Sequence, residues 1–229
     1  MNARPPDRAT VRRTRVGAVL LVVGTVQFLV AHLVVQHAWP APYSWTRNYL
    51  SDLGAVTCGG QPGDIVCSPL HAVMNSAFVL QGVLLIAGTV LTAGAWTASA
   101  GRRVWQGLIV ASGLSWIVVG LVPEDVAGPV HAAGALPGFV VSNVALLVAG
   151  ASASTRGRRA CRRAATVLGV AGVSGLALLA AARGPDSAIG VGAAERLVVF
   201  PLQVWAVVVG VALLVGTTAA ARPRRSLVA

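Results

Sequence analysis

Six long apolar stretches constrain the fold of this chain more than any other feature of its sequence. They cover approximately residues 16–36, 70–96, 104–122, 130–153, 164–182 and 197–221, and none has an Asp, Glu, Arg or Lys in its middle. A helix of about 20 apolar residues crosses a hydrocarbon core about 30 Å thick, and a helix satisfies its own backbone hydrogen bonds where water is absent. The sequence therefore predicts an all-α fold, a polytopic transmembrane six-helix bundle.

The small share of charged residues supports the same interpretation. The chain is 55% hydrophobic and 11% charged, whereas a soluble domain carries roughly 25% charged residues. The net charge of +11 comes from arginines in short clusters between the apolar runs, without the basic face that is typical of nucleic-acid binding. The sequence therefore predicts a lipid bilayer as partner and no nucleic acid.

The arginines are distributed unequally between the two sides of the predicted membrane. One side holds 15 of the 18 arginines and a single acid, Asp7, whereas the other holds three arginines and six acids. Arginine-rich loops stay in the cytoplasm, which predicts that both termini are cytoplasmic. Because Ala, Val, Gly, Pro and Arg are abundant, as in GC-rich bacterial genomes, we expect a bacterial plasma membrane. The expected organisation is a basic cytoplasmic tail at 1–15, a transmembrane domain at 16–221 and a second basic cytoplasmic tail at 222–229.

The long outer loop, residues 37–69, contains aromatic residues and two cysteines. Cys58 and Cys67 lie on the side of the membrane where oxidation is permitted, so a disulfide between them is expected, with two free thiols as the alternative. Cys161 falls on the cytoplasmic side. Four aromatic residues of the loop suit a membrane–water interface: Trp39, Tyr43, Trp45 and Tyr49.

Polar residues gather at the outer ends of the predicted helices and in the outer loop. In a compact bundle these groups would converge on one outward-facing cavity, and ionisable groups near membrane depth are functional candidates. In the alternative interpretation, they pair with each other or with water at the interface. The candidates are Ser51, Asp52, His71, Asn75, Glu124, Asp125, His131, Glu195 and Arg196.

Three smaller expectations concern individual residues of this set. Ser51 and Asp52 suit a helix N-cap or a turn. Asp52 has an alternative role as the ionic partner of Arg196. Glu195 and Arg196 suit the opening of the sixth helix, where an acid is favourable.

Imidazoles and carboxylates together can also bind zinc, which needs three protein ligands and activates a bound water. His71, His131 and Asp52 are the candidate ligands, with Glu124 as an alternative to Asp52. No HExxH or HxxxH spacing occurs in the chain. No cofactor is therefore predicted, and zinc remains an alternative.

Three short segments resemble the prokaryotic membrane-protein family called domain of unknown function 998. They are NYLSDLG at residues 48–54, VPED at 122–125 followed by His131, and ERL at 195–197 followed by Trp205. The resemblance extends from about residue 16 to residue 214 and implies a six-helix architecture without a known activity. The chain is more loosely similar to a superfamily that includes the alkaline ceramidases, which implies zinc near one membrane face. It departs from that superfamily in having six spans rather than seven and no paired histidines in the last helix.

Three functions remain open from the sequence. The first is a non-catalytic membrane protein that binds or moves a small molecule or a lipid through an outward-facing polar cavity. The second is a metal-dependent hydrolase that acts at the outer leaflet. The third is a structural subunit that packs against another membrane protein through its glycine-rich helices.

Overall fold

The computed structural model describes residues 7–61, 64–152, 155, 158–182 and 189–221. The predicted tail 222–229 and the first six residues of the tail 1–15 lie outside the described residues. Six helices in the described part are long and apolar enough to cross a membrane, which confirms an integral membrane protein with an all-α transmembrane domain. They are α1 (Arg8–His37), α2 (His71–Leu91), α3 (Ala100–Leu121), α4 (Glu124–Ala151), α5 (Arg159–Ala181) and α6 (Val191–Ala221).

Most of the helices extend beyond the apolar stretches that predicted them. Helix α1 starts among the arginines, because the Asp7 carboxylate accepts a hydrogen bond from the Thr10 amide at 2.7 Å and caps the first turn. Helix α6 starts at Val191, so Glu195 lies in its second turn rather than at its opening. The interpretation of Glu195 as a capping residue was therefore wrong. Hydropathy locates the middle of a spanning helix, whereas capping contacts locate its ends.

The helices form a ring in chain order. Each packs against its neighbours in sequence, and α6 closes the ring against α1 and also touches α4. Successive helices run in opposite directions, so the bundle has two ends. We call the end at which α1, α3 and α5 begin the arginine end, and the end that carries the connection 38–70 between α1 and α2 the loop end.

Glycines allow the close helix contacts that the sequence predicts. A Cβ atom on Gly17 of α1 would lie 2.9 Å from the carbonyl oxygen of Gly88 on α2, and one on Gly88 would lie 3.0 Å from that of Gly17. Along α5, Gly169 and Gly175 approach the backbones of α4 and α6 respectively. Since lipid supplies no hydrophobic force between helices, this close packing is a main source of association energy.

Helix α4 is interrupted in its second turn. Ala127 has φ −146° and ψ 64°, which is not helical. Two residues later Pro129 has no backbone N–H to continue the helical hydrogen bonding. The break separates the first turn, which contains Glu124 and Asp125, from the part of α4 that spans the membrane.

The connection 38–70 contains a short 3-10 turn at Ser51–Gly54 and a small antiparallel hairpin. Its strands are β1 (Gly59–Gln61) and β2 (Asp64–Val66), with Gly59 opposite Val66. A disulfide joins Cys58 to Cys67 at the open end of the hairpin, with their Cα atoms 4.3 Å apart. This connection covers the loop end of the bundle.

Candidate functional site

Arg196 of α6 is the main attachment point for the first half of the connection 38–70. Its Nη1 donates to the carbonyl oxygens of Trp45 (3.0 Å), Asn48 (2.8 Å) and Gly192 (2.9 Å), and its Nη2 donates to the Tyr43 hydroxyl. The guanidinium carbon lies 5.4 Å from the centre of the Tyr43 ring and 5.3 Å from that of Trp45. A planar, fully charged group suits this combination of carbonyl binding and aromatic stacking.

The partners of Arg196 differ from those that the sequence predicted. No ion pair joins Arg196 to Asp52, although both belong to the described part of the chain. Tyr43 and Trp45 do not act only as interfacial aromatics, because their rings enclose the guanidinium. Arg196 itself is only 5% exposed. The sequence shows neither contact, because both aromatic residues are about 150 positions away from Arg196.

Glu195 and Asp125 hold other parts of the same connection. Glu195 Oε2 accepts the Leu50 amide at 2.5 Å. Asp125 accepts the amides of Val56 (3.1 Å) and Thr57 (2.7 Å) and also the Thr57 hydroxyl (2.7 Å). Carboxylates that accept backbone N–H groups in this way make strong, charge-assisted bonds. The two acids therefore bind the connection 38–70 to α6 and α4.

Asn75 and the two candidate histidines also bind backbone carbonyls. Asn75 Nδ2 donates to the Gly54 carbonyl at 2.9 Å. His71 Nδ1 lies 3.0 Å from the Ser68 carbonyl, and His131 Nδ1 lies 2.7 Å from the Val122 carbonyl. A carbonyl oxygen only accepts, so each imidazole donates from Nδ1. Each histidine thus contacts the segment that precedes its own helix.

The described residues contain no group of three His, Cys, Asp or Glu side chains placed to hold a metal ion. His71, His131 and Asp52 therefore do not form the three-ligand set that a zinc site requires. Backbone atoms contact Nδ1 of each histidine and Oδ2 of Asp52.

Asp52 and Glu124 form a close pair of carboxyl groups at the loop end. Asp52 is 7% exposed, and its Oδ2 accepts the amide of Tyr49 at 2.9 Å and Asn48 Nδ2 at 3.3 Å. Burial raises the pKa of Asp52 to about 8, with further contributions from its hydrogen bond to Glu124 and from the charges of Glu124 and Glu195. A hydrogen bond between two carboxyl groups needs a proton on one of them. Because the pKa of Asp52 is raised to about 8, the pair keeps this proton at neutral pH.

The sequence predicts a helix N-cap or a turn at Ser51 and Asp52, and the structure has a 3-10 turn at residues 51–54. Its N-cap is Leu50, and no side chain accepts a hydrogen bond from its first amides. Asp52 instead binds backwards to Tyr49. Ser51 is half-buried at the start of the turn. Of the two alternatives, the turn is therefore the one that is present.

A partly enclosed pocket of about 50 Å³ lies beneath the connection 38–70, among α2, α3, α4 and α6. None of the nine candidate polar residues lines it. Its polar lining consists of serines, and Leu50 belongs to its wall. The lining residues are Leu50, Phe78, Ser112, Ser115, Trp116, Val119, Ala135, Gly138, Phe139, Ser142, Val199 and Leu202. The pocket is therefore largely apolar, and the polar residues lie around its loop-end side.

Two buried polar groups were absent from the set of candidate site residues. Gln81 Nε2 donates to Gln203 Oε1 at 2.7 Å, and the Thr25 hydroxyl lies 3.2 Å from the same oxygen. His32 is fully buried and stacks on Trp45, with ring centres 4.9 Å apart. The sequence contained a signal for both groups, since Gln81 and Gln203 lie within the second and sixth apolar spans and His32 lies within the first. A polar residue inside a spanning helix needs a partner.

Comparison with known protein families supports the resemblance that the segments NYLSDLG, VPED and ERL indicate. The family described as "Protein of unknown function (DUF998)" matches residues 8–212. No curated protein and no solved structure matches the chain. The resemblance inferred from the sequence is thus confirmed, and the chain belongs to the domain of unknown function 998 family.

Proposed function

We propose that this protein binds a lipid or a small apolar molecule in the pocket beneath the connection 38–70. The observation that carries the proposal is the position of Leu50. Leu50 belongs to the pocket wall, and its amide donates to the Glu195 carboxylate. Leu50 also lies two residues before Asp52 in the chain. A ligand in the pocket would thus lie next to the polar groups of the loop end.

The chemistry of the lining favours an apolar ligand segment. Ser115 and Ser142 donate their hydroxyl protons to carbonyls of their own helices, at 3.3 Å and 3.1 Å. Their remaining surface, with Trp116 and Phe139, is mainly hydrocarbon or aromatic. Pockets of this kind take their affinity from apolar contact and their selectivity from a few polar groups. A volume of about 50 Å³ suits part of an acyl chain rather than a whole lipid.

The polar end of the ligand would face the Asp52–Glu124 pair. A pair that shares one proton both accepts and donates hydrogen bonds. We therefore propose an amphiphile with a hydroxyl, amide or amine next to its apolar segment. Such a ligand differs from the polar solute that an outward-facing polar cavity would take.

The orientation in the membrane is part of the proposal. With 15 of 18 arginines on the side of the termini, we propose that the arginine end faces the cytoplasm of a bacterial cell and that residues 1–15 and 222–229 are cytoplasmic. The loop end then faces the outside, where a disulfide is stable. A reporter enzyme that is active only outside the cytoplasm should be inactive when fused after residue 229.

A pocket-filling variant tests the proposed function. In Ser112→Leu the larger side chain should occupy the pocket and exclude the ligand. Gly107→Leu, on the same helix, is the matched control, because a Cβ at Gly107 has nothing within 4 Å. The measurement is the amount of lipid that copurifies with each protein in detergent, by mass spectrometry, together with the thermal unfolding midpoint before and after lipid is added.

We expect wild type and Gly107→Leu to retain a lipid and to be stabilised by it, because a ligand that binds only the folded state raises stability. Ser112→Leu should fold but show neither effect. If Ser112→Leu retains the same lipid as wild type, the pocket is not the binding site. Metal analysis of the same wild-type sample tests the hydrolase alternative, which requires near-equimolar zinc.

A further inference from the structure

A second space lies inside the bundle, nearer to the arginine end than the pocket is. It has a volume of about 10 Å³, roughly the space that one water molecule needs. Side chains of α1, α2, α3 and α6 enclose it, together with Thr92 and Trp96. Its wall includes Leu21, Leu85 and Ala206, each at most 4% exposed. We call this space the arginine-end cavity.

The pocket and the arginine-end cavity share α2, α3 and α6 and follow one another along these helices. On α2, Phe78 lines the pocket and Leu85 lines the cavity, while on α6 Leu202 lines the pocket and Ala206 the cavity. Residues four or seven positions apart share one face of a helix. At about 1.5 Å per residue, these wall residues are separated by about 6–10 Å along their helices. The two spaces are therefore parts of one interior, one to two helical turns apart.

Thr25, Gln81 and Gln203 form a hydrogen-bonded layer between the two spaces. Gln81 lies on α2 between the residues that line the pocket and those that line the cavity, at helical spacing from both, and Gln203 does so on α6. Gln81 Nε2 donates to Gln203 Oε1 at 2.7 Å, and the Thr25 hydroxyl lies 3.2 Å from the same oxygen. We call these three residues the polar layer. Each is at most 2% exposed, so the layer is closed in this structure.

The glutamine pair keeps hydrogen-bonding groups that it does not use. Gln81 Oε1 and Gln203 Nε2 have no partner among the described residues. Exchanging oxygen and nitrogen in both amides leaves the same deficit, because one bond between two amides uses one C=O and one N–H. A hydrogen bond between neutral groups is also weak in net terms. The layer can therefore exchange its bond for bonds to a passing solute, which a packed apolar layer cannot do.

We propose that the interior of this bundle is a passage for a small neutral solute and that the polar layer is its gate. Polar residues that face the interior of a membrane bundle commonly mark such pathways. Among the described residues that line the two spaces, none is charged, so an ion would find no partner there. The proposal rests on the proposed function for entry into the pocket and extends it, because the bound molecule then moves toward the arginine end. The solute class is a small neutral amphiphile with a hydroxyl or an amide.

The test times the reaction of iodoacetamide, a small neutral reagent, with a reporter cysteine in the arginine-end cavity. Ala206→Cys supplies the reporter, and Cys161→Ser removes the free thiol of the chain. The protein is held in nanodiscs, and alkylation is followed by mass spectrometry. Without further changes the reporter should react slowly but completely, since the gate opens only transiently.

The gate is removed with Gln81→Ala/Gln203→Ala. Gln27→Ala/Gln106→Ala is the matched control, because it removes the same atoms from glutamines that line neither space. We expect the reporter to react about tenfold faster in the gate variant than in the control, since the barrier loses about one net hydrogen bond. Adding Ser112→Leu should cancel this gain by filling the pocket, whereas adding Gly107→Leu should preserve it.

Four results would overturn the proposal. They are equal acceleration in the control, no acceleration in the gate variant, a gain that survives Ser112→Leu, and a reporter that never reacts while the glutamines are intact. If the double Ala variant does not fold, Gln81→Ser against Gln106→Ser provides the same comparison with a smaller change. The proposed function fails separately, through lipid that Ser112→Leu retains, whereas the alkylation rates decide the gate.

Discussion

The two ends of this bundle differ in what their charged side chains bind. At the loop end, Arg196, Glu195 and Asp125 all bind backbone atoms of the connection 38–70. At the arginine end, the Arg102 side chain donates to a single backbone carbonyl, that of Ala93. Both ends keep a buried N–H without a partner in the described structure, Arg196 Nε at the loop end and Arg102 Nε at the arginine end. The ends therefore differ in how many bonds tie a charged side chain to a connection.

The length of the connections explains this difference. The connection 38–70 supplies many carbonyl and amide groups close to the helix ends. The connection between α2 and α3, residues 92–99, supplies few. Buried polar groups need partners wherever they lie, and a long connection folded over the helix ends offers more backbone partners than a short one. The comparison teaches that charged residues at helix ends have no single role, because the local supply of backbone groups decides it.

The largest expected effect tests whether the loop end holds itself together. Arg196→Ala removes four hydrogen bonds and leaves the partly buried carbonyls of Trp45 and Asn48 without their donor. We expect a loss of about 3 kcal/mol or more in the free energy of unfolding. Arg47→Ala, an exposed arginine of the same connection, should cost less than about 0.5 kcal/mol. Chemical unfolding in detergent measures both, and similar losses would break the comparison.

A smaller effect should depend on pH. The pKa of Asp52 is raised to about 8 from its ordinary value of 3.8, so the folded state binds the proton more tightly than the unfolded state. The stability that this proton contributes is complete below about pH 4 and is lost as the pH rises through about 8. Asp52→Asn keeps an acceptor for the Tyr49 amide and a donor for Glu124 without an ionisable group. It should raise stability at pH 8 by roughly 1 kcal/mol or more.

The control for this pH effect is the same pair of proteins at pH 4. There the wild-type Asp52 is protonated, so Asp52→Asn should change stability little. The measurement is the thermal unfolding midpoint of both proteins between pH 4 and pH 9. A constant difference across this range would show that Asp52 does not hold a proton in the folded state.

The smallest effect is expected at the arginine end. Arg102→Ala removes a single hydrogen bond to the Ala93 carbonyl and a buried donor that lacks a partner, so the two changes oppose each other. We expect a loss of at most about 1 kcal/mol in detergent. A loss as large as that of Arg196→Ala would show that the arginine end is also held together by its own contacts.

The membrane domain could be predicted from sequence to a large extent. The number of spanning helices follows from apolar stretches, because the cost of exposing the backbone to lipid acts on each segment by itself. The segments NYLSDLG, VPED and ERL also indicated the family that residues 8–212 match. Helix ends were predicted less well, since Asp7 and Leu50 are positioned by contacts that hydropathy does not reflect.

The site was predicted only in its composition. Asp52, Glu124 and Glu195 lie close to one another at the loop end, whereas Asn75, Asp125 and Arg196 bind loop backbone and do not line the pocket among the helices. The pocket is formed by apolar residues and serines of four helices, which carry no distinctive sequence signal. Apolar content and charge are properties of a segment and can be read along the chain. The partner of a hydrogen bond, such as the Leu50 amide for Glu195, lies in a remote segment, and only the packing of the helices determines which segment that is.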